Sequence, residues 1–98
     1  MNNKPNNEPN KEKILKFFPD GEFYTLDGFD EAIIGIASQA GQYFLVVYSD
    51  PKIIEILTKR DGMTLEEAVE YAEFNIFGAY FGEKTPIIMT SMEDMNEF

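Results

Sequence analysis

The stretch AIIGIASQAGQYFLVVYS, residues 32–49, decides how this chain folds. Two runs rich in β-branched and aromatic residues flank the short link QAGQ, a pattern that favours a pleated, half-buried surface. It predicts an antiparallel hairpin with strands near 32–38 and 43–49. Alternation places Ile34 and Ile36 on one face and Ile33, Gly35 and Ala37 on the other. In the second strand Phe44, Val46 and Tyr48 oppose Tyr43, Leu45 and Val47. Both faces are apolar, and strands of that kind sit centrally, covered on both sides.

Helices follow. In SDPKIIEILTKRDG, residues 49–62, Asp50 suits the N-cap and Pro51 the first helical position. Ile53, Ile54 and Leu57 form an apolar face, Lys59 and Arg60 suit the negative end of the helix dipole, and Gly62 is a stop. In TLEEAVEYAEFNIFGAYFG, residues 64–82, Thr64 and Glu67 have capping-box spacing. Leu65, Ala68, Val69, Ala72, Ile76, Ala79 and Tyr80 recur at helical spacing, which carries the expected helix to about Phe81 with Gly82 just beyond it. Gly78 then lies inside the helix at a cost of about 1 kcal/mol against alanine, so a close packing neighbour is expected there. Pro86 forbids continuation, and PIIMT, residues 86–90, reads as a third strand. Upstream, EFYTL lies between the turn signals Pro19-Asp20-Gly21 and Asp27-Gly28 and reads as a short strand.

The expected fold is α+β: a small antiparallel sheet, hairpin plus C-terminal strand, with two consecutive helices packed on one face. Residues 1–13, rich in Asn, Pro, Lys and Glu, read as a disordered arm, residues 14–90 as one domain, and residues 91–98 as an acidic flexible tail. Two helices cover one face only. The other needs residues 17–26 or a second subunit, and a homodimer is expected.

Composition removes several chemistries. The chain has no cysteine and no histidine, so Ser-His-Asp and Cys-His mechanisms are impossible and the usual zinc ligands are missing. No segment is long and apolar enough to span a bilayer, and the N-terminus lacks the apolar core of a secretory signal, so a cytoplasmic location is expected without membrane contact. Net charge is −10, unevenly spread: residues 1–16 carry +2, residues 17–90 carry −9 and the tail −3. So acidic a body repels phosphate backbones, which argues against direct nucleic-acid binding; keeping a small protein soluble is the simpler account of the charge, and contact with a basic protein, or imitation of DNA before one, is the functional alternative.

The second helix concentrates the candidate contact residues. Glu66, Glu67, Glu70 and Glu73 share a sector with Phe74, Phe77 and Phe81, so the early turns are amphipathic and the late turns apolar nearly all round. A helix apolar all round is buried all round, so the three phenylalanines need a cover. Residues 14–29, with Phe17, Phe18, Phe23 and Tyr24, would supply it from within the chain. A partner protein or a second copy would supply it from without. Tyr43, Tyr48 and Tyr80 form an alternative small-molecule pocket, with core packing the simpler account of them. Asp27, Asp30 and Glu31 fall close together but fit a turn better than a cation site, and no metal or cofactor is expected. GAYFGEKTP lacks the spacing of a phosphate loop and follows a helix rather than preceding one.

The blocks DGFDEAIIGI and DGMTLEEAVEYAEFNIFGAYFGEKTPIIM together resemble a family of small uncharacterised proteins encoded by bacteriophages and found in bacterial genomes. Its members carry a DGM/EEA helix start and a GAY-GE-TP segment. The resemblance covers residues 27–89. It implies a phage-related origin and assigns no activity or catalytic residue. The expected function is therefore non-enzymatic: contact with a host or phage protein, in its sharpest form inhibition of a nucleic-acid-binding host defence protein. A small-molecule-binding domain, a structural homo-oligomer and an enzyme using only carboxylates, Lys, Tyr or Ser are the alternatives.

Overall fold

The computed structural model describes residues 10–19, 21–39 and 43–95. In chain order they form α1 (Asn10–Phe17), a 3-10 turn (Asp30–Ala32), β1 (Ile33–Gln39), β2 (Tyr43–Ser49), α2 (Asp50–Lys59), α3 (Leu65–Ala72) running into a π-turn (Glu73–Phe77), β3 (Ile87–Met89) and α4 (Met92–Met95). The fold is α+β with a three-stranded mixed sheet in the order β1-β2-β3.

The hairpin forms as its sequence dictates, β1 and β2 pairing antiparallel from Ile33–Tyr48 to Gln39–Tyr43. Its turn, residues 40–42, lies outside the described residues. β3 corrects the expected topology, because it runs parallel to β2, with Val47 opposite Ile87 and Ser49 opposite Met89. Two helices separate β2 from β3, and a helical crossover is the connection that parallel neighbours require.

The strand faces also differ from simple alternation. The register shifts between Ile33 and Gly35, so Ile34 is an extra residue with no cross-strand partner, a β-bulge. Ile33 therefore pairs with Tyr48 and Ile36 with Val46, and all four share the core side, while Ile34 is half exposed. Grouping Ile34 with Ile36 and against Ile33 is thus overturned.

That side of the sheet is covered by three helices, not two. Ile14 of α1, Ile53 and Leu57 of α2, and Ala68 and Ala72 of α3 join Ile33, Val46 and Tyr48 in one buried cluster. Residues 21–26 form no strand. Phe23 and Leu26 pack on the same cluster, and the Leu26 N–H donates to Tyr48 Oη at 2.7 Å. The segment expected to cover the far face therefore lies on the helical side. Leu45 and Val47 are buried outside that cluster, next to the partly exposed Ile87 and Met89.

Ser49, not Asp50, is the N-cap of α2, its Oγ accepting from the Lys52 N–H at 3.2 Å, which moves Asp50 and Pro51 into the first turn. Gly62 takes φ +72, the left-handed conformation that ends the segment. Residues 10–13, expected in the arm, are the start of α1. Asn10 Nδ2 donates to the Asp30 and Ile33 carbonyls at 3.1 and 3.2 Å. Residues 92–95, expected in the tail, form α4, capped by Ser91 Oγ accepting from the Asp94 N–H at 3.1 Å. The remainder of the arm, Asp20 of the first turn signal and residues 96–98 lie outside the described residues.

Tyr48 gives the core a pH signature. Burial pushes its phenol above the ordinary value; the Leu26 hydrogen bond pulls the other way, and the charges of Asp30 and Asp27 reinforce the rise. Above about pH 10, where an unperturbed tyrosine ionises, the unfolded chain binds fewer protons than the folded one, so stability falls as pH rises. Tyr48→Phe is expected to cost about 1 kcal/mol at neutral pH by leaving the part-buried Leu26 N–H without its acceptor. It should also flatten the alkaline decline. Urea unfolding at neutral and alkaline pH measures both effects, and equal alkaline slopes in the two proteins would contradict the assignment.

Candidate functional site

α3 begins where the sequence says it should. Thr64 Oγ1 accepts from the Glu67 N–H at 3.1 Å while Glu67 Oε1 accepts from the Thr64 N–H at 2.9 Å, a complete capping box. The Glu67 carboxylate is thus committed to holding the helix start. Glu66, Glu70 and Glu73 are exposed as expected. The ion pairs formed between described residues lie elsewhere, at Lys59–Glu55, Arg60–Asp61 and Lys84–Glu22.

The later turns depart from the expected long rod. The core contacts of this segment are Ala68, Ala72 and Ile76, spaced by four. On a helix of about 3.6 residues per turn each step of four runs ahead by about 40°, so Ile76 would rotate away from the core. The wider i→i+5 winding of residues 73–77 takes up that lead and returns Ile76 to the cluster. The helix ends at Gly78 (φ −94, ψ 1), and residues 79–81 are irregular, which corrects the expectation of a helix to Phe81. No neighbouring element presses on Gly78: a Cβ there would lie 3.3 Å from the Glu73 carbonyl oxygen, within its own turn.

The three phenylalanines consequently part company. Phe77 is half-buried against the core. Phe81 leaves the helix and packs on Tyr24, ring centroids 5.8 Å apart. Its loop is closed by Thr85, whose Oγ1 accepts from the Phe81 N–H and donates to the Gly82 carbonyl, both at 2.7 Å. Phe74 has no such cover and is 79% exposed. Cover from residues 14–29 therefore reaches Phe81, through Tyr24, and stops short of Phe74. The expectation that all three rings are buried fails because the stripe facing the core is narrow and built on alanine. Leu65 (67% exposed), Val69 and Tyr71 are left on the surface for the same reason, although the first two were expected in the core stripe. The alanines at a spacing of four were the signal in the sequence for that narrow contact.

The tyrosine pocket does not assemble from the described side chains. Tyr48 has no accessible surface, Tyr80 is 77% exposed, and the side chain of Tyr43 lies outside the described residues. At the acidic turn, Gly28 takes φ +87 and Asp30 Oδ2 accepts from the Lys11 N–H at 3.2 Å. Among the described residues no three acidic side chains are grouped as a metal site.

Sequence reasoning missed a surface on α1. A cleft of about 350 Å³ opens between α1 and residues 21–25, with Ile14, Leu15, Phe23 and Val46 as apolar walls and Lys11 and Glu22 at its edge. Leu15 and Phe17 are exposed on the same helix, and Phe18 packs on Phe44 at 4.9 Å between centroids. A second, more polar cleft of about 490 Å³ lies beside Gly28, Glu31, Lys52 and Lys59. Its charges are largely consumed internally, by the Lys59–Glu55 pair and by Arg60, which bonds Asp61 and the Gly28 carbonyl and lies 5.1 Å from the Phe29 ring centroid.

The candidate site is thus an exposed helix face that combines glutamates with apolar side chains, on a small α+β scaffold. Comparison with protein-family models, curated proteins and solved structures found no match for this chain. Among the described residues no helix is long and apolar enough to cross a membrane.

Proposed function

We propose that this protein acts by protein–protein contact, without catalysis, and that the exposed face of α3 is where a basic partner docks. The observation that carries this reading is Phe74, an aromatic ring 79% exposed on a helix face that also bears Glu66, Glu70 and Glu73. Exposed apolar residues grouped on one surface mark contact sites, aromatic anchors supply much of the energy of such contacts, and surrounding carboxylates select a basic surface and speed encounter. The −9 carried by residues 17–90 extends the same field over the body and opposes contact with phosphate backbones.

The resemblance to phage-encoded proteins makes a host or phage protein in the cytoplasm the partner of choice. The sharper form of the proposal is inhibition of a nucleic-acid-binding defence protein, with carboxylates presented where that protein expects phosphates. A low-salt pull-down from host lysate tests it. The wild type should retain a basic protein, and Phe74→Ala should weaken that binding about tenfold or more while changing folding stability by less than about 0.5 kcal/mol. Retention of no basic protein, or retention that ignores both Phe74→Ala and Glu66→Lys/Glu70→Lys, would sink the reading.

A further inference from the structure

We infer that the exposed face of α3 also fits a second copy of this chain, with Phe74 seated in the α1 cleft of the neighbouring molecule. The inference rests on the reading of α3 as a docking face and adds an occupant that the chain itself provides.

The two surfaces are complementary in shape and in charge. The knob is Phe74, 79% exposed, flanked by Glu66, Glu70 and Glu73. The cleft, about 350 Å³ with Ile14, Leu15, Phe23 and Val46 as walls, has apolar lining and room for one aromatic side chain. α1 carries Lys11 and Lys13 against Glu12, and of these Lys11 lines the cleft together with Glu22, so the cleft lies on the basic segment of a chain whose remaining residues are strongly acidic. Within one molecule the two do not meet, since Phe74 is solvated and no α3 residue lines the cleft.

Net charge alone would oppose pairing, because each copy carries −10. At physiological ionic strength the screening length is about 8 Å, so repulsion between the far sides of the two bodies is largely removed. The charges at the contact then decide: the knob's glutamates meet Lys11 at the cleft and Lys13 on the same helix, while Glu22, the acid that lines the cleft, is paired with Lys84 at 3.4 Å. Knob and cleft are different surfaces, so two copies either close as a reciprocal pair or add head to tail, and both raise the solution mass.

Sedimentation velocity on the pure full-length chain, across a concentration series at physiological salt, tests the contact. The wild type should associate reversibly with rising concentration. Phe74→Ala, on the solvent face and away from α1, should weaken that association about tenfold or more. Lys11→Glu/Lys13→Glu and Glu66→Lys/Glu70→Lys should each weaken it alone, and an equimolar mixture of the two should associate again, because the reversed knob now matches the reversed cleft. A wild type that stays monomeric throughout the series overturns the inference, as does association that survives Phe74→Ala. Either result leaves a basic-partner pull-down that depends on Phe74 standing, so failure here is separable from failure of the proposed function.

Discussion

Leu57→Ala is expected to cost about 2–5 kcal/mol of folding stability, the largest loss foreseen for any single substitution considered for this chain. Leu57 has no accessible surface and belongs to the cluster in which α2 meets the sheet and α3. Removing its side chain forfeits the transfer energy of the buried methyl groups and leaves a cavity. Relaxation into that cavity is limited from two sides. Tyr48 is fixed by the Leu26 N–H, and the Leu57 carbonyl accepts from the Met63 N–H at 3.2 Å, tying the end of α2 to the link that leads into α3. A domain of this size is stable by about 5–15 kcal/mol in total, so the variant should unfold at much lower urea concentration with an unchanged slope. A midpoint shift corresponding to less than about 1 kcal/mol would place the centre of the core elsewhere.

The sequence carried the local signals well and the long-range ones poorly, for identifiable reasons. The hairpin follows from two β-rich runs around a short link, and the Thr64–Glu67 box and Gly62 are complete within a few residues. The bulge at Ile34 was hidden because nothing in IIGIAS distinguishes an extra residue from a regular one when both faces are apolar. The direction of β3 was readable in principle, since two helices between neighbouring strands imply a crossover and hence parallel pairing. Placing PIIMT as an antiparallel third strand beside the hairpin ignored that connection. The missing third helix on the core side came from composition: α1 has only one buried residue, Ile14, and is surrounded by lysines, so its sequence resembles a solvated arm.

The candidate site was legible in its charges and misread in its aromatics. Glu66, Glu70 and Glu73 face solvent, as carboxylates without a buried partner must. Periodicity grouped Phe74, Phe77 and Phe81 by assuming uniform winding. The π-turn breaks that assumption, since it keeps Ile76 inward, leaves Phe74 out, and is followed at Gly78 by the end of the helix. What a regular helix would present as one aromatic ridge becomes an exposed ring on the π-turn that continues α3, a half-buried core residue and a loop residue paired with Tyr24.

The same geometry sets the second large effect. Ala72→Leu is expected to destabilise the fold by about 1–3 kcal/mol through overpacking, although leucine is as good a helix former as a buried position could ask for. Ala68 and Ala72 have no accessible surface and are the residues through which α3 enters the core shared with α2. Small side chains allow close approach of the helix backbone, and three added carbons must either push α3 outward or force neighbouring side chains from their rotamers. Pushing α3 outward would move the capping box, the π-turn and Phe74 together, because they belong to one continuous segment. The expectation is therefore double: a lowered urea midpoint, and weaker binding of the proposed basic partner in a variant whose proposed docking residues are all intact. Ala72→Ser changes volume little and serves as the control, retaining binding. If Ala72→Leu proved neutral in both measurements, α3 would be loosely seated, and the winding change at Glu73 would need a cause other than the pull of Ile76 toward the core.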